Sequence, residues 1–236
     1  EMSIVGPRPL PTADLEKIKI KKEIIVVDDG SRDGTGEVLK EIKEITLITH
    51  EKNKAKGSAI RTGLEKSTGD IFNIQDADLE YDPAEYGKLL QPILDNKTAC
   101  VLGSRPLGKD SWNIRKYKGY FFYARALNLG GLIYTLLFNV LYGVWLTDPA
   151  TMFKVFRREC INDIVFRSDY FDFDWELVAK LMRKGYKPVE VPVHYTSRSV
   201  AQGKKIRFFR DGYLVFWAII RFRFFAAILA ARSGAA

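Results

Sequence analysis

Short apolar runs rich in Ile and Val alternate with amphipathic segments throughout the first half of the chain. A run that is apolar at nearly every position is typical of a strand buried on both faces, whereas apolar residues three to four apart favour a helix. The pattern predicts strands at residues 22–28, 45–49, 69–75 and 99–103, and helices at residues 36–43, 57–66 and 83–96. This alternation predicts an α/β fold in which helices cover a largely parallel sheet.

The second half of the chain contains two long apolar segments of a different character. Residues 126–146 contain no charged residue, and they reach the roughly 20 residues that a membrane span requires. Asn128, Asn139 and three glycines interrupt this stretch, so we favour a membrane-facing helical hairpin within residues 119–146 over a true span. Residues 208–225 combine aromatic residues with arginines. This mixture predicts an amphipathic interfacial helix or, alternatively, a core helix whose arginines extend to the surface.

The composition fits one domain that works in a reducing compartment. The 236 residues are 47% hydrophobic, which is enough to bury a full core, and the two cysteines, Cys100 and Cys160, lie in unrelated contexts. We therefore expect neither a disulfide framework nor a zinc site, and the first residues do not have the pattern of a secretory signal. The formal charge of +8 predicts an anionic partner such as nucleotide phosphate, an acidic membrane surface or nucleic acid. The chain has no nucleic-acid-binding motif, so we expect no nucleic-acid partner.

Two pairs of carboxylates stand at the ends of predicted strands. Asp28 and Asp29 end the first strand, and Asp76 and Asp78 follow the third. Because the carboxyl ends of parallel strands meet at one edge of a sheet, both pairs are expected at the edge where ligands bind. Two carboxylates one residue apart suit one divalent cation with oxygen ligands, Mg²⁺ or Mn²⁺, although a solvated acidic turn has the same sequence.

An ordered series of motifs runs through most of the chain, from Glu23 to Gly212. The series comprises Ile25-Val-Val-Asp28-Asp29-Gly-Ser31, Asn53-Lys-Ala-Lys56-Gly57, Gln75-Asp76-Ala-Asp78-Leu-Glu80, Gly103-Ser104-Arg105, Thr147-Asp148-Pro149, Phe173-Asp174-Trp-Glu176 and Gly203-Lys204-Lys205. With these motifs the chain resembles the family-two glycosyltransferases, particularly the polyprenyl-phosphate sugar synthases typified by dolichol-phosphate mannose and glucose synthases. The resemblance implies a GT-A fold, which binds nucleotide sugars, with membrane-facing helices toward the C-terminus.

The resemblance also implies roles for individual residues. The donor nucleotide and its phosphates would be held by Asp28, Asp29, Ser31, Lys56, Gly57, Asp76 and Lys204. The divalent cation would be held by Asp76, Asp78 and Glu80, where Glu80 replaces the glutamine that the family often has. The residues expected to take part in the reaction are Asp78, Asp174, Arg105 and Arg198.

The nature of the acceptor decides which of these residues the reaction needs. A sugar hydroxyl loses a proton as it attacks, so it requires a carboxylate base, for which Asp174 and Glu176 are the candidates. A polyprenyl phosphate is already an anion and requires cations instead. Candidate cations are Arg105, Arg115, Arg198, Lys204 and Lys205, and the resemblance puts Arg105 and Arg198 near the phosphates. We expect neither His50 nor His194 to be catalytic.

The first 21 residues depart from the family pattern. Members usually begin with a strand that ends in a Pro-x-Tyr-Asn-Glu-like segment gripping the nucleotide base, and this segment is missing here. Residues 2–9 look instead like a signature of membrane-bound phosphoglycosyl transferases, but eight residues cannot carry that activity. We divide the chain into an atypical segment (1–21), a glycosyltransferase domain (22–206) and a C-terminal amphipathic helix with its tail (207–236).

Together these features predict an inverting, metal-dependent transfer of a sugar from a UDP- or GDP-sugar donor to a polyprenyl phosphate. The protein is expected at the cytoplasmic face of a membrane, as a peripheral or monotopic protein. One alternative is a related enzyme that acts on a sugar hydroxyl of a lipid-linked or polysaccharide acceptor, with Asp174 as its base. Another is an inactive nucleotide-sugar-binding scaffold, which the altered N-terminal segment would explain. The sequence leaves the sugar, the nucleobase, the metal and the oligomeric state open.

Overall fold

A computed structural model describes residues 21–78, 80–109, 111–117, 119–198 and 208–225. Within these ranges the strands are β1 (Ile25–Asp28), β2 (Thr46–Thr49), β3 (Ile71–Ile74), β4 (Cys100–Ser104), β5 (Lys154–Arg157) and β6 (Val189–Pro192). The α-helices are α1 (Thr35–Lys40), α2 (Lys56–Lys66), α3 (Tyr86–Leu94), α4 (Arg105–Lys109), α5 (Phe121–Tyr142), α6 (Phe173–Arg183) and α7 (Phe208–Phe224). The mixed α/β architecture that the sequence predicts is confirmed, and the predicted strands and helices of the first half all form.

The strands form two sheets rather than one parallel sheet. β1 and β2 pair in parallel, and a second sheet has the order β3-β5-β4-β6. β4 and β6 are parallel, but β5 runs antiparallel to both of its neighbours, β3 and β4. The reason lies in the register, which sets Lys154 at the start of β5 beside Ile74 at the end of β3. The chain leaves β4 and returns to β5 at the same edge of the sheet, so β5 runs back in the opposite direction.

Two apolar clusters hold the helices on the sheets. Val101 of β4 and Leu177 of α6 belong to the larger cluster, whereas Leu102 of β4 and Trp175 of α6 belong to the second. Side chains that follow one another in a strand point to opposite faces, so β4 contributes to both clusters. The second cluster includes the fully buried Ile219 of α7. Helices α5, α6 and α7 therefore form one packed unit beside the sheet.

Helix α5 is one continuous helix of 22 residues, so the predicted hairpin is wrong. Asn128 and Asn139 do not interrupt it, because both are buried and bind backbone groups of the protein. Asn128 binds the backbone of Arg115, and Asn139 binds both backbone groups of Leu146. Among the described helices, α5 is the one with the length and apolarity that could cross a membrane.

The outward face of α5 is exposed and largely apolar, apart from the exposed Arg125 near its start. Its apolar residues are Phe121, Phe122, Leu129, Leu132, Ile133, Leu136 and Val140. Helix α7 has a similar division, because Ala218, Ile219 and Phe222 are buried while Tyr213 and Trp217 are exposed. One side of α7 is therefore part of the core, and the other exposes aromatic side chains.

Candidate active site at the carboxyl edge of the sheets

The first acidic pair stands at the end of β1, where the chain enters a tight turn. Gly30 has φ of 75°, and a Cβ atom there would lie 2.9 Å from the backbone nitrogen of Asn53. Only glycine fits this combination of a left-handed backbone and a close approach without strain. The turn is closed by Asp28, whose Oδ1 accepts a hydrogen bond from the backbone N–H of Ser31 at 2.9 Å. The hydroxyl-bearing Ser31 itself is exposed.

Asp29 is buried but keeps one carboxylate oxygen unused. A hydrogen bond of 2.7 Å links its Oδ1 to Nδ1 of His50, and the same oxygen accepts from the backbone N–H of Lys54 at 2.9 Å. Its Oδ2 is buried and has no hydrogen-bond partner among the described residues. An unpaired buried carboxylate oxygen costs free energy, so it marks a position where a ligand donor would be stabilising. By holding Oδ1, His50 fixes the direction in which Oδ2 points. His50 is held in turn by a hydrogen bond of 3.0 Å between its Nε2 and Thr62 Oγ1.

The start of helix α2 joins this turn to the second acidic segment. Lys54 binds Asp29 through its backbone, and Nζ of the buried Lys56 lies 3.2 Å from Oδ2 of Asp76. Gly57 lets the helix approach the loop before α6, because a Cβ atom there would lie 2.3 Å from the carbonyl oxygen of Ser168. This short segment therefore contacts Asp29 through Lys54 and Asp76 through Lys56.

The three predicted metal ligands each have protein partners in this structure. Asp76 pairs with Lys56, and Asp78 Oδ2 lies 2.8 Å from Nη2 of Arg198. The buried Glu80 accepts from the Tyr195 hydroxyl at 2.9 Å and from the Arg198 backbone N–H at 2.8 Å. The described residues contain no preformed group of three or more side chains arranged to hold a metal ion.

The electrostatics of this segment nevertheless suit a cation. Burial raises the pKa of Asp78 to about 6, and the negative charges of Asp76 and Glu80 add to this, although Arg198 acts in the opposite direction. Asp76 and Glu80 are therefore each close enough to Asp78 to repel its carboxylate. A divalent cation with oxygen ligands would relieve that repulsion.

Asp174, in the first turn of α6, lies between two buried lysines. Its Oδ2 is 3.2 Å from Lys56 Nζ, and its Oδ1 is 2.9 Å from Nζ of Lys154. Burial alone would raise the pKa of Asp174, but the two ammonium groups outweigh it and hold the pKa below its ordinary value. The side chain is therefore an ionised acceptor with both oxygens in use.

Glu176, the other candidate base, is completely buried and anchors the preceding loop. Its carboxylate accepts hydrogen bonds from the backbone N–H groups of Arg167 and Ser168 and pairs with Lys180. These contacts occupy both oxygens. The side chain positions the loop against Gly57 and has no route to a substrate from this burial.

The predicted phosphate-binding arginines have different surroundings. Arg105 is buried and makes a bidentate pair with Asp148, with distances of 2.6 Å from Nε to Oδ2 and 2.7 Å from Nη2 to Oδ1. Arg198 is partly exposed and spans Asp78 and Glu80. Arg115 has a buried Nε with no hydrogen-bond partner in the part of the chain that the structure describes. Lys204 and Lys205 lie outside the described residues.

Three residues of this site were given no role from the sequence. His50 orients Asp29, Asp148 holds Arg105, and Lys154 pairs with Asp174. Lys154 did carry a signal, because a lysine within the apolar run 152–156 predicts a buried charge that needs a partner. His194 is exposed and binds Glu85.

Comparisons with known proteins show the family and the fold of the chain. A model of the glycosyl transferase family 2 matches residues 14–165, more than half of the chain. The UDP-N-acetylglucosamine–dolichyl-phosphate N-acetylglucosaminyltransferase of Methanococcus voltae is 27% identical over 220 residues, which cover 84% of this chain and 83% of that protein.

Two solved structures show the same fold. Glucosyl-3-phosphoglycerate synthase from Mycobacterium tuberculosis, in complex with Mn²⁺, UDP-glucose and phosphoglyceric acid, has a TM-score of 0.60 at 18% identity, covering 85% of this chain and 68% of that one. A mannosyltransferase from Pyrobaculum calidifontis, in complex with GDP-Man and Mn²⁺, has a TM-score of 0.51 at 20% identity, covering 91% and 66%. The ordered motifs, the mixed sheet and the family match lead to one conclusion: the chain belongs to glycosyl transferase family 2 and is a glycosyltransferase of GT-A fold.

Proposed function

We propose that this enzyme transfers a sugar, with inversion, from a UDP- or GDP-sugar to a polyprenyl phosphate at the cytoplasmic face of a membrane. The observation that carries the proposal is the position of Asp174 between Lys56 and Lys154. This position bears on the chemical class of the acceptor, because a hydroxyl acceptor needs a base and a phosphate acceptor does not.

Asp174 is a poor general base in this setting. Protonating Asp174 would remove the negative charge that balances the buried ammonium groups of Lys56 and Lys154. Unbalanced charges of this kind are costly in a low-dielectric interior. Its lowered pKa describes the same balance of charges. Glu176 is no better placed, since backbone N–H groups and Lys180 use its oxygens. An acceptor that is already an anion fits a site without an available base.

A cavity beside the acidic segment supports binding of such an anion. It has a volume of 430 Å³ and lies between residues 113–117 and the start of α5. Its lining includes Arg115, Lys116, Tyr117 and Arg125. The buried Arg115 Nε and Tyr117 Oη have no hydrogen-bond partner among the described residues, so two donors are available to a phosphate.

This cavity is connected to the acidic segment and opens at the apolar helix. The backbone N–H of Lys116 donates to Ser197 Oγ at 3.3 Å, and the next residue, Arg198, binds Asp78. Phe121, another lining residue, belongs to the exposed apolar face of α5. A lipid phosphate could therefore enter the cavity while its hydrocarbon chain remains with that face.

The donor would lie across the carboxyl edge of the sheets. Oδ2 of Asp29 would accept from the nucleoside, and Asp76 and Asp78, with Glu80, would hold the divalent cation. When bound, Mg²⁺ or Mn²⁺ would offset the charge that develops on the departing diphosphate. The solved relatives described above bind Mn²⁺ together with UDP-glucose or GDP-Man.

The reaction would be a single displacement. An oxygen of the acceptor phosphate attacks the anomeric carbon from the face opposite the nucleoside diphosphate. The carbon–oxygen bond to the diphosphate breaks as the new bond forms, so the configuration inverts. Arg115 would hold the attacking phosphate and Arg198 would stay beside the cation ligands, and no proton needs to be removed from the acceptor.

The apolar faces of α5 and α7 support membrane binding. Phe122, 85% exposed, lies on the α5 face, and Trp217, 47% exposed, lies on α7. Apolar and aromatic side chains of this kind are stabilised at a bilayer interface, and the net charge of +8 suits the anionic cytoplasmic leaflet. The division into a GT-A domain (22–206) and a C-terminal amphipathic helix (207–236) stays a prediction.

A transfer assay with lipid extraction tests the proposal. Radiolabelled UDP- and GDP-sugars are offered with Mn²⁺ or Mg²⁺ to polyprenyl phosphate in detergent, and in parallel to a lipid-linked saccharide. We expect label in the polyprenyl phosphate fraction. Arg115→Gln should raise the KM for polyprenyl phosphate by about tenfold, as the loss of one charge-assisted hydrogen bond predicts. The matched variant Arg115→Lys keeps the charge and should lose less.

The alternatives give different results in the same assay. Transfer to the saccharide alone, abolished by Asp174→Asn, would establish a hydroxyl acceptor with Asp174 as base. An absence of transfer with either metal, despite calorimetric binding of a donor, would favour the inactive scaffold. Calorimetry with each donor therefore accompanies the assay.

A further inference from the structure

Four charged side chains from separate parts of the chain form a continuous series beneath the acidic edge. Lys154 of β5 pairs with Asp174 of α6 at 2.9 Å, and Asp174 pairs with Lys56 of α2 at 3.2 Å. Lys56 then pairs with Asp76, after β3, also at 3.2 Å. Two cations and two anions alternate, so the series is neutral as a whole.

Burial falls along this series toward the acidic segment. The side chains of Lys154, Asp174 and Lys56 are 1%, 8% and 7% exposed, whereas that of Asp76 is 20% exposed. Asp76 is therefore the end that a ligand can reach from solvent. Its Oδ2 is the atom that Lys56 contacts.

A carboxylate oxygen that contacts an ammonium group has less negative charge to offer a second cation. We infer that Lys56 is an internal counter-ion of Asp76 that competes with the divalent cation for this carboxylate, and that Asp174 and Lys154 set the strength of the competition. The inference rests on the metal site of the proposed function and adds a positioning role for three buried residues. A cation that binds Asp76 would displace the Lys56 ammonium group toward Asp174. This displacement would take place at the edge where the donor diphosphate would lie.

The series predicts opposite effects for variants of its members. Lys56→Met removes the competitor, so Mn²⁺ should bind more tightly. Lys154→Met leaves Asp174 with one cation, which draws Lys56 away from Asp76 and should also tighten Mn²⁺ binding. Asp174→Asn removes the carboxylate that shares Lys56 with Asp76. Lys56 should then pair more strongly with Asp76, so Mn²⁺ should bind more weakly.

The test measures Mn²⁺ binding by the full chain without any donor. The signal of free Mn²⁺ in electron paramagnetic resonance, checked by calorimetry, gives the Kd for each variant. We expect Lys56→Met to lower the Kd on the order of tenfold, the factor that corresponds to one charge-assisted contact, and Lys154→Met to lower it less. The control is Lys52→Met, which changes the net charge equally at an exposed position and should leave the Kd within about twofold of the wild-type value.

The outcomes separate this inference from the proposed function. Unchanged or weaker Mn²⁺ binding by folded Lys56→Met overturns the inference, while sugar transfer by the wild-type chain would leave the proposed function in place. An equal effect of Lys52→Met would also overturn it, because net charge alone would then explain the change. Circular dichroism establishes whether each variant is folded. If Asp174→Asn fails to fold, Mn²⁺ binding by Lys56→Met and Lys154→Met still decides whether the inference holds.

Discussion

Asp78→Asn is expected to stabilise the protein while it removes activity. The pKa of Asp78 is raised from 3.8 to about 6, so the folded protein holds the proton more tightly than the unfolded chain. The ionised carboxylate therefore destabilises the fold above pH 6, and this cost disappears as the pH falls below about 4. A difference of about two pKa units corresponds to about 3 kcal/mol. Because Asp76 and Glu80 share the repulsion and Asn weakens the contact with Arg198, we expect a gain of about 1–2 kcal/mol.

Urea unfolding in EDTA, followed by circular dichroism, measures this gain across the pH range. The free energy of unfolding of Asp78→Asn should exceed that of the wild-type protein at about pH 7.5, and the two should converge near pH 4. The exposed Asp70→Asn serves as a control that removes a charge outside the acidic segment. A variant that is no more stable than wild type at about pH 7.5, or whose advantage persists at pH 4, would refute the reasoning. Transfer activity should be lost in parallel, since Asp78 is a proposed metal ligand.

Two further predictions concern residues that position the site. Asp148→Ala leaves the buried Arg105 without its bidentate partner and should lower the free energy of unfolding by about 3–5 kcal/mol in urea titrations; a loss below about 1 kcal/mol would contradict a buried structural pair. His50→Leu releases Asp29 and should raise the donor KM by about 5–10-fold in initial-rate measurements, with kcat unchanged, because one hydrogen bond that orients Asp29 is lost. An unchanged donor KM would show that Lys54 alone orients this carboxylate.

Much of the fold follows from local sequence patterns. Strands such as β1 and β4 are fully buried runs, and a continuous apolar run of that length predicts them directly. The positions of Asp29 and Asp76 at strand ends also follow from local patterns, since Asp29 comes directly after β1 and Asp76 two residues after β3.

The direction of β5 and the state of Asp174 could not be predicted in this way. β5 pairs with β3 across at least 80 residues, and nothing in its four residues specifies an antiparallel partner. Asp174 has the spacing of a catalytic carboxylate, but its properties depend on Lys56 and Lys154, which are distant in sequence. The error over α5 has a similar origin, because Asn128 was expected to interrupt the apolar stretch and instead binds the segment before the helix.

β5 lies far along the sequence from its sheet partners β3 and β4, and this order affects how the chain folds. The four-stranded sheet needs β5, which begins at Lys154, and β6, which begins at Val189, so its contacts are highly non-local. Such topologies fold slowly, because the chain loses the entropy of closing long loops before the strand contacts stabilise it. During synthesis the apolar face of α5, within Phe121–Tyr142, emerges before either strand. We expect the nascent chain to meet a bilayer or a chaperone at this stage, so that the surface proposed to hold the mature enzyme at the membrane would also protect it from aggregation while the sheet is incomplete.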